Sequence, residues 1–150
     1  MTMKIIGIDP DMRNPGTCEL HDGVIFDIGS MTTAYLIASI PWYIANDYVF
    51  AVENVNEVKG IYTRNQKGGD AVKAKIAQNV GMVKAAGTIL IDYIEHSGGK
   101  VILAPVGVGR QVKNNPKLFA QLSGHKKRTN EDCRDAWAIA KWAESQKVKK

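Results

Sequence analysis

The chain has 150 residues, 45% hydrophobic and 23% charged, with 14 glycines and 5 prolines, the make-up of one ordinary globular domain and not of a disordered tail. The formal net charge of +5 is unevenly spread: residues 1–99 hold 8 Lys/Arg against 11 Asp/Glu, and residues 100–150 hold 12 against 4. A basic last third suggests a polyanionic partner, nucleic acid being the commonest, although solvated lysines by themselves produce the same bias.

Lys4-Ile5-Ile6-Gly7-Ile8-Asp9 reads as an apolar strand ending in a carboxylate, and an acid there argues against a signal peptide. After the turn-rich Pro10–Gly16, strands over Thr17–Leu20 and Val24–Ile28 flank His21-Asp22-Gly23, whose Asp-Gly pair signals a hairpin. Thr32–Asn46 suits a helix that Pro41 either kinks or restarts. Its apolar run Ala34–Ala45, broken by Ser39 and Pro41, falls short of the roughly 20 residues that cross a membrane. Tyr48–Glu53 is a second apolar strand ending in an acid. Asn54–Gly69 is a polar loop, and Asp70 is placed to cap a long helix reaching about His96. That helix carries an apolar stripe (Val72, Ile76, Val80, Val83, Leu90, Ile94) and a second face of small residues at Ala74, Ala77, Gly81 and Ala85. Gly98-Gly99 ends it, and Lys100–Ala104 forms a third core strand. Asn115-Pro116 starts a short helix through Leu122, Ser123–Arg128 is a basic loop, and Thr129-Asn130 caps a last helix to about Gln146, with Val148-Lys149-Lys150 fraying. Cys18 and Cys133 supply neither a disulfide framework nor zinc spacing, so a reducing, cytoplasmic setting is expected.

The order βββαβαβα, in one domain over residues 1–150, describes an α/β protein with a five-stranded mixed sheet flanked by helices on both faces, the order of the RNase H-like fold. In a meander of this kind the ends of the first and fourth strands lie side by side, which brings Asp9 next to Glu53. Asp132 and Asp135, three apart in the first turn of the last helix, share a face that can lie across them. Each acid also has an ordinary use: Asp9 before Pro10 as a turn former, Glu53 as a polar strand end, Asp132 as a partner of the helix dipole. Packed together, however, four carboxylates repel one another unless a cation neutralises them. Oxygen-only ligands favour Mg²⁺ or Mn²⁺ over zinc, and two such ions about 4 Å apart suit phosphodiester hydrolysis.

With these residues in place, the sequence resembles the RuvC-type Holliday junction resolvases. The resemblance runs through Gly7-Ile8-Asp9-Pro10, Val52-Glu53, Asn79-Val80-Gly81-Met82-Val83 and Asp132-Cys133-Arg134-Asp135-Ala136-Trp137-Ala138-Ile139-Ala140, and covers nearly the whole chain in order. It implies an RNase H-like nuclease, homodimeric, each subunit nicking one strand of a four-way DNA junction. It also implies that Asp9, Glu53, Asp132 and Asp135 are catalytic acids binding Mg²⁺ or Mn²⁺, two per site. Asp11, where cellular bacterial members commonly have glycine, and the longer turn depart from the family's bacterial pattern; Arg13-Asn14-Pro15 is more like viral and mitochondrial relatives, and the short segment between the third strand and Tyr48 implies a compact, phage-encoded member acting in the cytoplasm of a bacterial or phage-infected cell.

The family places a basic residue after the third core strand at the scissile phosphate, a role open here to Arg110 or Lys113. Lys117, Lys126, Lys127 and Arg128 precede the acidic helix and are candidates for DNA backbone contacts; a basic loop also simply balances neighbouring acids. In the loop after Glu53, which also holds Lys59, the family engages the junction centre. There Tyr62 is the aromatic available for stacking on unpaired bases, and Arg64 and Lys67 the cations, an ordinary loop tyrosine being the competing reading. His21, His96 and His125 form no ligand spacing and are expected at the surface, whereas Trp137 and Trp142 suit core packing and Cys133 is filler. The small-residue face of the long helix either crosses a second copy of itself or packs on the last helix of the same chain. The expected activity is endonucleolytic resolution of four-way junctions with no membrane involvement. The competing readings are an RNase H-like nuclease acting on flaps, branched DNA or RNA, and a non-catalytic junction binder.

Overall fold

The computed structural model describes residues 2–57 and 69–148. Strand β1 (Lys4–Asp9) is central in a five-stranded sheet of order β3-β2-β1-β4-β5. Its isoleucines are buried on both faces, as a central strand requires. β2 (Gly16–His21) and β3 (Val24–Ser30) continue it antiparallel, joined at Asp22-Gly23, whose φ values of 51° and 85° form the type I′ turn the Asp-Gly pair announces. On the other side β4 (Tyr48–Glu53) and β5 (Val101–Ala104) run parallel to β1.

The pleat gives each strand two faces, and a core forms on each side of the sheet. Ile6, Ile8, Phe50 and Val52 face helices α1 (Thr33–Ala45) and α2 (Asp70–His96), packing with Leu36, Ile40, Leu90 and Ile94. Ile5, Cys18, Leu20 and Ala51 face α5 (Glu131–Val148), with α3 (Arg110–Lys113) and α4 (Pro116–Ser123) closing the edge through Val112 and Phe119. Period two then puts Asp9 and Glu53 on the face of Ile5 and Ala51, toward α5.

α1 is continuous through Pro41, so the proline does not restart the helix, and Leu36 and Ile40 before it and Tyr43 after it bury on the same core. The helices depart from expectation in three places. Asp70 is not the cap of α2: Gly69 occupies that position, and Asp70 sits in the first turn, where its charge favours the helix dipole. In the apolar stripe of α2, Leu90 and Ile94 are buried, Ile76, Val80 and Val83 are half-buried, and Val72 is exposed; Met82, Ile89 and Tyr93, which lie off the stripe, are exposed too. Ala74, Gly81 and Ala85 are exposed too, so the small-residue face does not pack on α5 within the chain. The single turn of α3 has no periodic signature and was not expected. The other caps follow the sequence: Asn115 Oδ1 accepts from the Leu118 N–H at 3.0 Å, and Asn130 Oδ1 from the Cys133 N–H at 2.8 Å. No helix among the described residues is long and apolar enough to cross a membrane.

α5 lies very close to the sheet. A Cβ at Gly7 would run into the Ala136 carbonyl and come within 2.8 Å of Ala140 Cβ; one at Gly16 would meet the Asp132 backbone. Gly7→Ala is therefore expected to destabilise the fold by about 1–3 kcal/mol. Gly29→Ala, on the edge strand with nothing within 4 Å, serves as the matched control and should be neutral or stabilising. Urea unfolding of both variants checks the contrast; equal midpoints would contradict the tight approach.

Candidate metal centre

Two of the acids come from the ends of neighbouring strands. The last β1–β4 pair is Ile8 with Val52, so Asp9 and Glu53 are the next positions along parallel strands, pointing to the same face. The third comes from α5: Asp135 is held over the sheet by the close approach at Gly7, and only 8% of it is exposed. One carboxylate oxygen of each of Asp9, Glu53 and Asp135 lies within 4.8 Å of the others. Asp132, the fourth expected member, does not join that set. It is exposed one turn earlier on α5, its backbone over Gly16, and its charge is felt at both Asp9 and Asp135.

The surroundings disfavour ionisation. Burial above all, then the charges of Asp135 and Glu53, push the Asp9 carboxyl up to about 8, with Lys113 pulling the other way and Asp132 adding least. Asp135 is raised too, by burial first, with Lys113 lowering it and Asp132 raising it. Of the two cations the sequence left open, Lys113 takes the place at the site: its ammonium lies 3.8 Å from Asp135 Oδ2. The Arg110 guanidinium instead folds back beside Gly107, where an added Cβ would lie 3.0 Å from one of its terminal nitrogens.

The residues fit a hard divalent cation. Three oxygen donors converge, and no histidine or cysteine among the described residues joins them, an oxygen-only set that suits such an ion. Gly109 completes the wall: any side chain there would collide with the Asp135 carboxylate.

Lys117, Lys126, Lys127 and Arg128 are exposed, the last three on the loop leading directly into α5. Lys59, Tyr62, Arg64 and Lys67 lie outside the described residues. Trp137 is in the α5 core with Trp142 packed against it. Cys133 is buried, its sulfur bonded to the Asn130 backbone.

Two features escaped the sequence reading. His21 is no plain surface residue: it is half-buried, stacks on Phe26 at 4.1 Å, and its Nε2 lies 2.6 Å from Tyr48 Oη. The Tyr48 and Tyr43 hydroxyls donate to buried Glu19, and burial together with that carboxylate pushes both phenols up. The second is Arg134, 6% exposed, whose guanidinium donates to the carbonyls of Lys113 and Thr129. The available signal was an arginine set directly between Cys133 and Asp135 in the first turns of α5.

Among solved structures the chain is similar to Thermus thermophilus RuvC, a Holliday junction resolvase. The structure described as T. thermophilus RuvC in complex with Holliday junction substrate matches with a TM-score of 0.58 at 18% identity, over 92% of this chain and 90% of that one. A second T. thermophilus RuvC structure matches with a TM-score of 0.53 at 16% identity, over 92% and 91%. No protein-family model and no curated protein matches the chain. At these identities the likeness is one of fold, and it is the fold the element order implied: an open, mixed five-stranded sheet with flanking helices.

A carboxyl raised to about 8 in the folded chain and ordinary in the unfolded one costs metal-free stability progressively between about pH 4 and pH 8. Asp9→Asn removes that cost. In EDTA, the variant's stability relative to the parent is therefore expected to climb across this window and level off above it, and millimolar Mg²⁺ should favour the parent. Urea titrations at a series of pH values measure this; a pH-independent difference would contradict the buried, crowded Asp9.

Proposed function

We propose that the chain is a metal-dependent endonuclease that resolves four-way DNA junctions by hydrolysing one phosphodiester per subunit. The observation carrying this reading is the meeting of Asp9, Glu53 and Asp135, from three separate parts of the chain, within 4.8 Å. A pure DNA binder gains nothing from three acids where phosphate must approach. The RuvC likeness supplies the substrate class, since one matched structure is of RuvC with a Holliday junction.

In this reading Asp9, Glu53 and Asp135 hold Mg²⁺ or Mn²⁺, and Asp132 at the exposed rim is the further ligand a second ion needs. When bound, the ions supply Lewis-acid stabilisation of charge on the phosphate and activation of water. Lys113, its ammonium 3.8 Å from Asp135, is assigned to a non-bridging phosphate oxygen, where it would offset the negative charge that develops. Arg110, Lys117, Lys126, Lys127 and Arg128 hold flanking phosphates, a sequence-independent and salt-sensitive contribution. From the sequence, Tyr62 is assigned to base stacking and Arg64 and Lys67 to phosphates at the junction centre. The active form is taken as a homodimer, because a junction of near two-fold symmetry calls for two sites. The exposed Val72, Met82, Ile89 and Tyr93 on α2 leave apolar surface for a second copy.

A synthetic four-way junction should be nicked in Mg²⁺ and not in EDTA. Asp9→Asn and Asp135→Asn should each lower the rate at least about 100-fold, the scale for losing one group that stabilises transition-state charge. Junction affinity should hold or tighten as negative charge is removed. Undiminished cleavage by either variant would remove these acids from the reaction. Faster turnover on flaps or RNA would reassign the substrate, and binding without nicking would reduce the protein to a junction binder.

A further inference from the structure

Arg134 lies between the two aspartates of α5 and has no part in the centre described above. Its guanidinium is buried, yet its hydrogen-bond partners among the described residues are all uncharged oxygens. Nε and one terminal nitrogen donate to the Lys113 carbonyl at 3.0 and 2.7 Å. The other donates to the Thr129 carbonyl at 2.8 Å and to the Thr129 hydroxyl at 3.1 Å. Burying a cation on neutral acceptors is expensive, and a leucine or methionine would fill the same space at less cost. What an arginine adds is its planar fork, which ties together two chain segments 21 residues apart.

The segment it ties down is the one that presents Lys113. α3 has four residues, too few to hold its shape by its own hydrogen bonds. Its start is fixed where Gly109 meets the Asp135 carboxylate, and its last carbonyl is fixed by Arg134. With both ends pinned along α5, the Lys113 backbone has one position relative to Asp135. From that backbone position the flexible lysine side chain, 39% exposed, brings its ammonium to 3.8 Å from the Asp135 carboxylate.

We propose that Arg134 is a positioning residue that acts through Lys113, clamping that residue's carbonyl so that its ammonium stays at the carboxylate centre. The catalytic part of this proposal rests on the nuclease reading; the placement of Lys113 does not. Arg134→Lys is the informative change, because it keeps the charge and loses the two-pronged contact. In single-turnover cleavage of a four-way junction it should lower the rate about 10–100-fold, the usual cost of losing a group that orients a site residue. Junction affinity should change by less than about twofold, since no phosphate contact is assigned to Arg134. The same change placed on Lys113→Ala should cost nothing more. A purely structural arginine would instead lower the melting temperature and reduce the rate equally in both backgrounds, and that result overturns the proposal, as does wild-type cleavage by Arg134→Lys.

Calorimetric titration of Mn²⁺ without DNA gives a second readout. Lys113→Ala removes a cation that competes for Asp135, so it should tighten Mn²⁺ binding. Arg134→Lys should tighten it in the same direction, and the double variant no further than Lys113→Ala. Unchanged Mn²⁺ affinity in Arg134→Lys overturns the positioning role. If the parent nicks no junction, the nuclease reading fails while the Mn²⁺ comparison still decides the placement of Lys113. Should Arg134→Lys not fold, Thr129→Val removes one acceptor and is expected to cost about three- to tenfold in rate with the same dependence on Lys113; no loss there also overturns the proposal.

Discussion

The site depends on how closely one helix can lie on one strand. α5 crosses β1 where the sheet carries no side chain, at Gly7, and meets β2 at Gly16, so helix backbone and sheet backbone nearly touch. That approach carries Asp135 down onto two carboxylates that the pleat has already turned to the same face. A single methyl group at position 7 would have to push α5 away, and Asp135 with it. Gly109 repeats the device on the far side of Asp135, where α3 comes in against the carboxylate. Close backbone approach and acid convergence are thus one constraint, met by small residues in three different elements.

Convergence has an electrostatic cost that the rest of the centre is arranged around. Asp9 is crowded by Asp135 and Glu53 and cut off from water, which is why its carboxyl holds a proton to about pH 8. Lys113 offsets part of that charge at Asp135. A fold selected for stability alone would place apolar residues there. Three converging carboxylates are a reason to expect a divalent ion as part of the working protein.

Much of this was legible in the chain because the signals are local. An acid closing a run such as Ile5-Ile6-Gly7-Ile8 or Val49-Phe50-Ala51-Val52 is conspicuous, since burial would otherwise favour another apolar residue. The Asp22-Gly23 turn and the Asn115 and Asn130 caps depend on a few neighbouring residues, and all three formed as read. What misled were features decided by distant partners. Of the two readings of Pro41 the restart fell away, since α1 is continuous through it with residues on both sides buried on one core. In the α2 stripe Leu90 and Ile94 are buried but Val72 is exposed, although the periodicity is as regular at one end as at the other. The single turn of α3 left no period to detect, and Asp132 and Asp135, equivalent in spacing, parted into an exposed rim residue and a buried member of the centre.

By itself the sequence determined the strands, the order of the elements, the strand-borne acids and the basic last third, because alternation, turn chemistry and charge are written in adjacent residues. Only the tertiary structure decided that Lys113 rather than Arg110 stands at the carboxylates, that Asp135 rather than Asp132 completes the close set, and that a buried arginine spends its charge on two carbonyls. Each of those choices turns on a contact between segments 20 or more residues apart, or on which side of a helix turn faces the sheet. Such contacts are set by how closely backbones can approach, and a one-dimensional pattern has no measure of that distance.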